Sequence, residues 1–274
     1  MAENFAVVAN FLQEGEPTGV SRYSAGLVEV LAASASVGRI VVVVPGEPAA
    51  WARARSWPKK LEWLHAPALP LWLYRRFLPA VVRTGATRLL YPASLPLCPF
   101  PGTVTVVHDL GFLRAPDAYA RALADRQRLS WLLSDTLIVT SQAIRDELRT
   151  ALRFSGEIVV VPPVLGAFGM PDVLPDSAGG GLRYVLMVGR WRWNKNWEVV
   201  SRAMESPLWP QDLDLVIAGS DDAAVATYFP PGRPRRGRVR SEGYVSDGHL
   251  ETLWNGALAF LMPSVYEGLW RSDP

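Results

Sequence analysis

Cysteine and long apolar runs are scarce in this sequence. Its 274 residues include a single cysteine, Cys98, which excludes an internal disulfide and is typical of a reducing compartment. No uninterrupted run of about 18 apolar residues occurs, so a membrane-spanning helix is not expected. The N-terminal residues lack a basic stretch followed by a long apolar one, which argues against a signal peptide. We therefore expect a cytoplasmic protein.

The sequence also has little net charge, since its formal value at neutral pH is only +2. Residues 232–240 do contain five arginines, which could contact nucleic acid. No aromatic residues interleave them, so we interpret the segment as a solvated loop entering a strand and expect no nucleic-acid partner. Residues 67–82 are apolar but carry Arg75 and Arg76. They either form a helix packed on a sheet or lie peripherally on the inner face of a membrane.

Apolar residues make up 49% of the chain, which is ample for a core. Continuous β-branched runs such as residues 40–44 are typical of parallel strands covered on both faces. Such runs alternate with helical patterns, which indicates βαβ units. We predict an α/β, Rossmann-like N-terminal domain over residues 1–165, with strands at 5–10, 40–44, 87–91, 103–107, 136–140 and 158–161 and helices at 20–33, 118–134 and 142–153.

Prolines and glycines concentrate in residues 162–181, a composition that favours a linker, which we place at 166–182. A second α/β series follows, with predicted strands at 184–188, 213–218 and 257–262 and helices at 196–205, 222–228 and 247–255. It predicts a second, partial Rossmann-like domain over 183–274. Two such domains imply a cleft between them, which is where ligands usually bind.

The loop after residues 184–188 is the first candidate site. Gly189 ends the apolar run, the loop carries Arg190 and Lys195, and a helical pattern begins at Asn196. A helix N-terminus favours anions, so two adjacent cations suggest a phosphate or diphosphate ligand. Only three of the 28 Lys and Arg residues are lysines, and one compact ammonium stands here. The alternative is an ordinary solvated loop.

Two further residues stand where chain segments meet a predicted sheet edge. His108 follows the strand at 103–107, with Asp109 beside it. Gly19 ends a Gly/Pro-rich loop at the start of a helix, where it could let the backbone approach a ligand. A lone histidine is more often structural than functional, and we interpret His65 and His249 in that way because neither follows a predicted strand.

The order and spacing of these motifs resemble glycosyltransferase family 4, the group 1 glycosyltransferases of the GT-B fold. Residues 15–27 (GEPTGVSRYSAGL) look like the family's first loop and helix, and residues 107–116 (VHDLGFLRAP) look like the segment with its active-site histidine. Residues 188–196 (VGRWRWNKN) look like its donor-phosphate loop. Residues 243–250 (GYVSDGHL) and 257–268 (ALAFLMPSVYEG) look like the strand–helix–strand unit that ends in its Glu motif.

The resemblance implies a retaining, metal-independent transfer of a sugar from a GDP- or UDP-linked donor to a saccharide or lipid-linked acceptor in polysaccharide or glycoconjugate biosynthesis. The nucleotide-sugar would be a substrate, and no cofactor is expected. We expect no Asp-x-Asp motif and no cluster of His and Cys residues to offer a divalent ion a site.

By the same resemblance, several residues receive roles. Arg190 and Lys195 would hold the donor phosphates, and Glu267 would approach the hydroxyls of the donor sugar. His108 would contact the sugar from the other domain. Gly19 would approach the diphosphate or the acceptor, and Val245 would lie near the nucleobase.

The pattern departs from the family after Glu267. The family continues with Gly-Phe-Gly-Leu-Pro and a second Glu that binds ribose, whereas this sequence runs from Gly268 to Pro274 and stops. We hypothesise a truncated or frame-shifted transferase, and we expect an exposed sheet edge and uncovered apolar faces. The alternatives are an inactive remnant that binds sugar nucleotide weakly, or a GT-B-like epimerase or phosphorylase.

Overall fold

A computed structural model describes residues 2–65, 78–93, 100–163 and 183–267. The described residues form two compact units, 2–163 and 183–267. The expected linker at 166–182 lies outside them, as do Cys98 and residues 67–77 of the proposed membrane-facing segment. No helix in the described ranges is long and apolar enough to cross a bilayer.

The first unit is built on a parallel seven-stranded sheet in the order β3-β2-β1-β4-β5-β6-β7. This confirms the predicted α/β class. The strand β3 was not predicted, because it lies at the edge of the sheet and only Leu61 of its five residues is buried. The strands are β1 (Glu3–Val8), β2 (Val37–Val44), β3 (Leu61–His65), β4 (Arg88–Tyr91), β5 (Thr103–Val107), β6 (Thr136–Val139) and β7 (Glu157–Val160).

The helices of this unit cover both faces of the sheet. Alternate residues of β1 belong to two apolar clusters, Val7 to one and Ala6 to the other, as expected for a strand buried on both sides. Thr18 and Ser21 form a reciprocal capping box at the start of the first helix, which fixes where that helix begins. The helices are α1 (Gly19–Ala33), α2 (Ala50–Ala54), α3 (Leu78–Thr84), α4 (Gly111–Arg114), α5 (Arg121–Leu132) and α6 (Gln142–Leu152).

The second unit has a parallel sheet in the order β10-β9-β8-β11. Its strands are β8 (Arg183–Val188), β9 (Leu213–Ala218), β10 (Val239–Gly243) and β11 (Ala259–Phe260), and its helices are α7 (Trp197–Glu205), α8 (Asp222–Tyr228) and α9 (Asp247–Gly256). The prediction of three strands was wrong for the described residues, since β10 is a fourth. Its sequence, VRSEG, lacks an apolar run because it is a half-buried edge strand.

The strand predicted at 257–262 is much shorter than expected. Only Ala259 and Phe260 pair with β8, and both are exposed. The rings of Phe260 and Trp254 lie 4.8 Å apart and are 41% and 44% exposed. The expected exposed edge and uncovered apolar surface are therefore present around β11. The truncation hypothesis stays a prediction.

Candidate active site

Both sheets reverse their strand order beside their first strand. In the first unit β1 pairs with β2 and β4, and in the second β8 pairs with β9 and β11. Ligands of open parallel sheets bind at the carboxyl ends of the strands, where the order reverses. The loops that follow β8 and β11, and those that follow β1 and β4, are therefore the places where a ligand is expected.

Three glycines in the left-handed region stand at the carboxyl edge of the second sheet. Gly189, Gly219 and Gly243 have φ angles of 125°, 92° and 61°. Backbone bonds link them, since Gly189 N donates to Ala218 O at 2.8 Å and Gly219 N donates to Gly243 O at 2.5 Å. A Cβ on Gly219 would lie 3.2 Å from Gly189 N, so glycine lets the strand ends approach closely.

The loop after Gly189 ends differently from the prediction. A 3₁₀ turn spans Trp193–Lys195, Asn196 is left-handed with φ 50°, and α7 begins at Trp197 rather than Asn196. The Asn196 side chain does not cap the helix, because its Nδ2 donates to Pro263 O at 3.2 Å. The first N–H groups of α7 therefore have no side-chain cap from Asn196, which is the arrangement that favours an anion.

The structure brings two of the predicted site residues together. Lys195 Nζ donates to Glu267 Oε1 at 2.7 Å, with side chains 24% and 19% exposed. The Lys195 amine also lies over Gly189, 3.8 Å from the position a Cβ would take. The loops that follow β8 and β11 thus meet through an ion pair at the point where the strand order reverses.

Asparagines beside Lys195 hold the segment that carries Glu267. Val265 N donates to Asn194 O at 2.9 Å. The Asn194 side chain donates to Tyr266 O at 2.8 Å and reaches Glu267 Oε1 at 3.4 Å. This positioning role of Asn194 was not predicted. The only available signal was the pair of asparagines flanking Lys195, and the segment that they bind lies about 70 residues later.

Arg190 lies on the same loop but is exposed, and its guanidinium has no partner among the described residues. The neighbouring Trp191 is fixed, because its backbone N–H donates to Ser220 Oγ at 3.2 Å. Its ring also stacks on the Tyr228 ring, with the ring centroids 5.5 Å apart. Among the described residues the loop therefore presents two cations without a side-chain partner, Arg190 and the equally exposed Arg192, and one paired cation, Lys195.

Val245 is half-buried and packs on the apolar cluster of β8 and α9 that includes Leu186 and Leu253. Val188, the last residue of β8, packs on the same cluster. Val245 therefore lies at the carboxyl edge of the second sheet, and its role beside a nucleobase stays a prediction.

In the first unit His108 directly follows β5 and is half-buried. Its Nε2 lies 2.7 Å from Pro92 O, at the end of the neighbouring strand β4. The Tyr23 ring of α1 meets the imidazole edge-on at 5.4 Å and 85°. Because a carbonyl oxygen can only accept, Nε2 carries the proton, and in the neutral ring Nδ1 is left as an acceptor.

Electrostatics favours the neutral imidazole. Burial lowers the pKa of His108 below its ordinary value, and the bond to Pro92 O and the nearby carboxylates of Asp109 and Glu14 oppose this only in part. At neutral pH the ring is therefore uncharged, with Nδ1 able to accept a hydrogen bond. Burial also raises the pKa of Tyr23 to about 12, so this neighbour stays a neutral phenol.

Gly19 is the first residue of α1, as the sequence indicated, and a Cβ there would meet nothing within 4 Å. Its φ is not in the left-handed region, so neither crowding nor conformation requires glycine at this position. Its proposed ligand contact stays a prediction.

The other two histidines differ. The interpretation of His65 was wrong in one respect, since it ends strand β3, although it is exposed at the sheet edge. His249 lies in the first turn of α9, with Nε2 3.8 Å from Glu242.

In the described ranges, no group of three or more His, Cys, Asp or Glu side chains could hold a metal ion. The one Asp-x-Asp pattern of the sequence, Asp212-Leu213-Asp214, lies at the opposite, amino end of β9. Asp212 pairs with Arg183, and Asp214 accepts from Arg238 N at 2.8 Å. Both carboxylates therefore have structural partners.

The arginine-rich residues 232–240 form a loop that leads into β10, as predicted. Arg233 pairs with Glu205 at 2.5 Å, and Arg240 pairs with Glu242 at 2.8 Å. Arg235 donates to the carbonyls of Phe229 and Pro230. Glutamates thus compensate two of the five guanidinium charges, and a third guanidinium donates to carbonyl oxygens within the unit, which leaves fewer free groups for a nucleic-acid backbone.

Comparison with known proteins identifies the fold. No family model matches the sequence, and no curated protein matches it. Solved structures that it resembles include sucrose-phosphate synthase from Thermosynechococcus elongatus, with a TM-score of 0.68 and 17% identity over 98% of this chain and 77% of that one. Another is WaaG, a glycosyltransferase involved in lipopolysaccharide biosynthesis, with a TM-score of 0.69 and 14% identity over 96% and 76%.

Anabaena HepE, solved in complex with UDP-glucose, has a TM-score of 0.61 and 13% identity over 99% of this chain and 76% of that one. These likenesses establish one point. The chain has a GT-B-like fold, with two parallel-sheet α/β units. The fold prediction is thereby confirmed.

Proposed function

We propose that this protein is a retaining, metal-independent glycosyltransferase of the family 4 type. It would move a sugar from a nucleotide-sugar to a saccharide or lipid-linked acceptor in polysaccharide or glycoconjugate biosynthesis. The observation that carries the proposal is the meeting of Lys195 and Glu267 at the reversal point of the second sheet, over Gly189 and next to the start of α7.

The donor diphosphate would lie between that helix start and the two cations. A departing nucleoside diphosphate gains charge at its leaving oxygen, and fixed positive groups stabilise that charge best when they are already in place. Arg190 is exposed and unpaired among the described residues, so it can bind a phosphate directly. Lys195 is held in position by Glu267. The two cations would do the work that a divalent ion does in metal-dependent transfer.

Glu267 would have two tasks. Its Oε1 holds Lys195 and is close to Asn194 Nδ2. A carboxylate accepts several hydrogen bonds at once, so Glu267 can also accept from hydroxyls of the donor sugar. These contacts would orient the sugar while the same carboxylate keeps the lysine against the phosphate. Val245 would lie toward the nucleobase.

Residues of the first unit would contact the sugar and the acceptor. His108 would contact sugar hydroxyls through Nδ1, the atom left as an acceptor by the bond between Nε2 and Pro92 O. Gly19, at the start of α1, would lie toward the diphosphate or the acceptor. WaaG and HepE support the choice of substrates, since one is a glycosyltransferase and the other was solved with UDP-glucose.

The test has two stages. The purified full chain is heated with and without millimolar UDP or GDP, since a ligand that binds the folded state raises the melting temperature. We expect protection by one of them, and we expect less of it in Arg190→Ala. The chain is then incubated with a panel of sugar-labelled nucleotide-sugars and saccharide acceptors.

Label transferred to an acceptor supports the proposal, with the anomeric configuration read by NMR. Protection without transfer would favour an inactive remnant. Label that remains on a changed donor would favour an epimerase, and absence of any protection would contradict the proposed donor site.

A further inference from the structure

We infer that Glu14 and His108 together form a subsite that accepts hydrogen bonds from the hydroxyls of an uncharged saccharide. The subsite would hold the acceptor, so the inference deepens the proposed function and rests on it. Glu14 then becomes a residue that positions the acceptor and sets its charge class.

The helix α1 connects the two side chains. At its start Thr18 Oγ1 donates to Glu14 Oε2 at 2.8 Å. Five residues further along, the Tyr23 ring packs edge-on against His108 at 5.4 Å. Thr18 and Tyr23 are about 7.5 Å apart along the helix axis, so the two contacts place the carboxylate and the imidazole beside the same end of α1. The influence of Glu14 on the pKa of His108 agrees with this proximity.

Both groups are fixed by bonds that leave one acceptor atom available. The Trp51 indole donates to Glu14 O at 2.7 Å and anchors the loop. Of the Glu14 carboxylate, Oε2 accepts from Thr18, while Oε1 has no partner among the described residues. Tyr23 is fixed in turn by its hydroxyl, which donates to Val161 O at 2.8 Å. The ligand-facing atoms would therefore be Glu14 Oε1 and His108 Nδ1.

A third acceptor stands on the adjoining strand end. The Oδ1 atom of Asn10, two residues after β1, is buried and has no hydrogen-bond partner among the described residues. The strand β1 pairs with β4, whose end supplies the Pro92 carbonyl that holds His108. Buried acceptors without donors are rare and costly. The atom is closed to solvent, so it marks an unsatisfied acceptor beside the subsite and is not one of the ligand-facing atoms.

These atoms select the chemistry of the ligand. A carboxylate and a neutral imidazole nitrogen both accept, so the ligand must donate, as saccharide hydroxyls do. A phosphate would be repelled by Glu14 and by Asp109, whose Oδ1 accepts from Gly111 N at 2.9 Å and whose charge also acts on His108. The subsite therefore favours an uncharged saccharide over a phosphorylated one.

The binding test follows the His108 ring by NMR in the full chain. Only three histidines are present, and His108→Gln assigns the signal. We expect methyl glycosides to shift the His108 signal and inorganic phosphate to leave it unchanged. Glu14→Gln should weaken the glycoside response about tenfold or more, as loss of a charged hydrogen-bond acceptor does. It should also lower the pKa of His108, because one of the groups that favour the imidazolium is lost while the bond to Pro92 O and the charge of Asp109 remain.

Glu16→Gln is the matched control, since Glu16 lies in the same loop and is exposed. An equal effect of both substitutions, or a response to phosphate that matches the glycoside response, would overturn the subsite. Protection by UDP against thermal unfolding distinguishes a failure of this inference from a failure of the proposed function. If Glu14→Gln abolishes UDP protection, the residue belongs to the donor side and the inference fails. If no nucleotide protects the wild type, the donor proposal fails, and the glycoside titration still shows whether Glu14 and His108 bind a saccharide.

Discussion

Replacement of Lys195 by alanine should affect both stability and donor binding. The ammonium is bonded to Glu267 at 2.7 Å, and both side chains are less than a quarter exposed. Removing one partner of such a pair leaves the other charge partly buried, with only the 3.4 Å contact to Asn194 remaining. The substitution therefore removes a cation that we propose binds the donor phosphate, and it leaves the Glu267 carboxylate without its ion-pair partner.

The magnitude follows from the burial of the pair. Exposed ion pairs contribute up to about 1 kcal/mol, and hydrogen bonds to charged groups in partly buried positions contribute about 1.5–3 kcal/mol. We expect Lys195→Ala to lower the free energy of unfolding of the second unit by about 2 kcal/mol. The loss of a preorganised cation should also reduce kcat/KM roughly 30-fold, which corresponds to about 2 kcal/mol.

The two effects can be separated by a second substitution. In Lys195→Ala with Glu267→Gln the orphaned charge is gone, so stability should recover in part while UDP protection and turnover stay low. Denaturant titrations give the stability, with hydrogen exchange of residues 263–267 as a local measure. Arg202→Ala is the control, because its pair with Glu198 spans 3.8 Å and is exposed.

An unchanged denaturation midpoint together with unchanged UDP affinity in Lys195→Ala would refute the reasoning. Stability loss without any change in UDP affinity would show that the ion pair is purely structural and that Lys195 does not bind the donor.

Three further results are expected. The pKa of His108 is lowered on folding, so its neutral form contributes stability that is fully present above the unfolded value of about 6.5 and is lost as the pH falls from there through the lower folded value. Between these two values the melting temperature of the wild type should therefore fall more steeply than that of His108→Gln. Gly219→Ala should lower stability by about 1–3 kcal/mol in denaturant titrations, because its φ of 92° is strained for alanine and its Cβ would lie 3.2 Å from Gly189. Asn196→Ala should cost about 1–2 kcal/mol by the same measurement, through its left-handed backbone and the lost bond to Pro263, and Asn196→Gly should cost less.

The fold could be predicted wherever burial made the sequence strongly apolar. Four of the five residues of the run at 40–44 pair with β1, and all five are buried, so the pattern had a single explanation. The strand β3 was missed, and β10 was anticipated only as the strand that the arginine-rich loop enters, because both are edge strands with a mixed sequence and no apolar run. Edge strands obey the same pairing rules, but their alternation is obscured when neither face is fully covered.

The candidate residues could be proposed one by one from the sequence, whereas the contacts between them could not be predicted. Lys195 and Glu267 are separated by 72 positions, and what joins them is the pairing of β8 with β11. Likewise the acceptor state of His108 depends on Pro92, whose carbonyl is aligned by the pairing of β4 with β5. A sequence pattern identifies the strand end that carries a residue, whereas partners across a sheet edge follow from strand order.

The two sheet edges differ in their chemistry, and this difference bears on the reaction. At the second sheet, Arg190 and Lys195 stand beside the start of α7, so the edge offers positive charge. At the first sheet, Glu14 and His108 offer hydrogen-bond acceptors. Transfer from a nucleotide-sugar needs both, because its leaving group is an anion and its nucleophile is a hydroxyl. At the first edge the carboxylates of Glu14 and Asp109 act on His108, which disfavours a phosphate beside this ring. The asymmetry therefore favours group transfer between unlike substrates over phosphate binding alone.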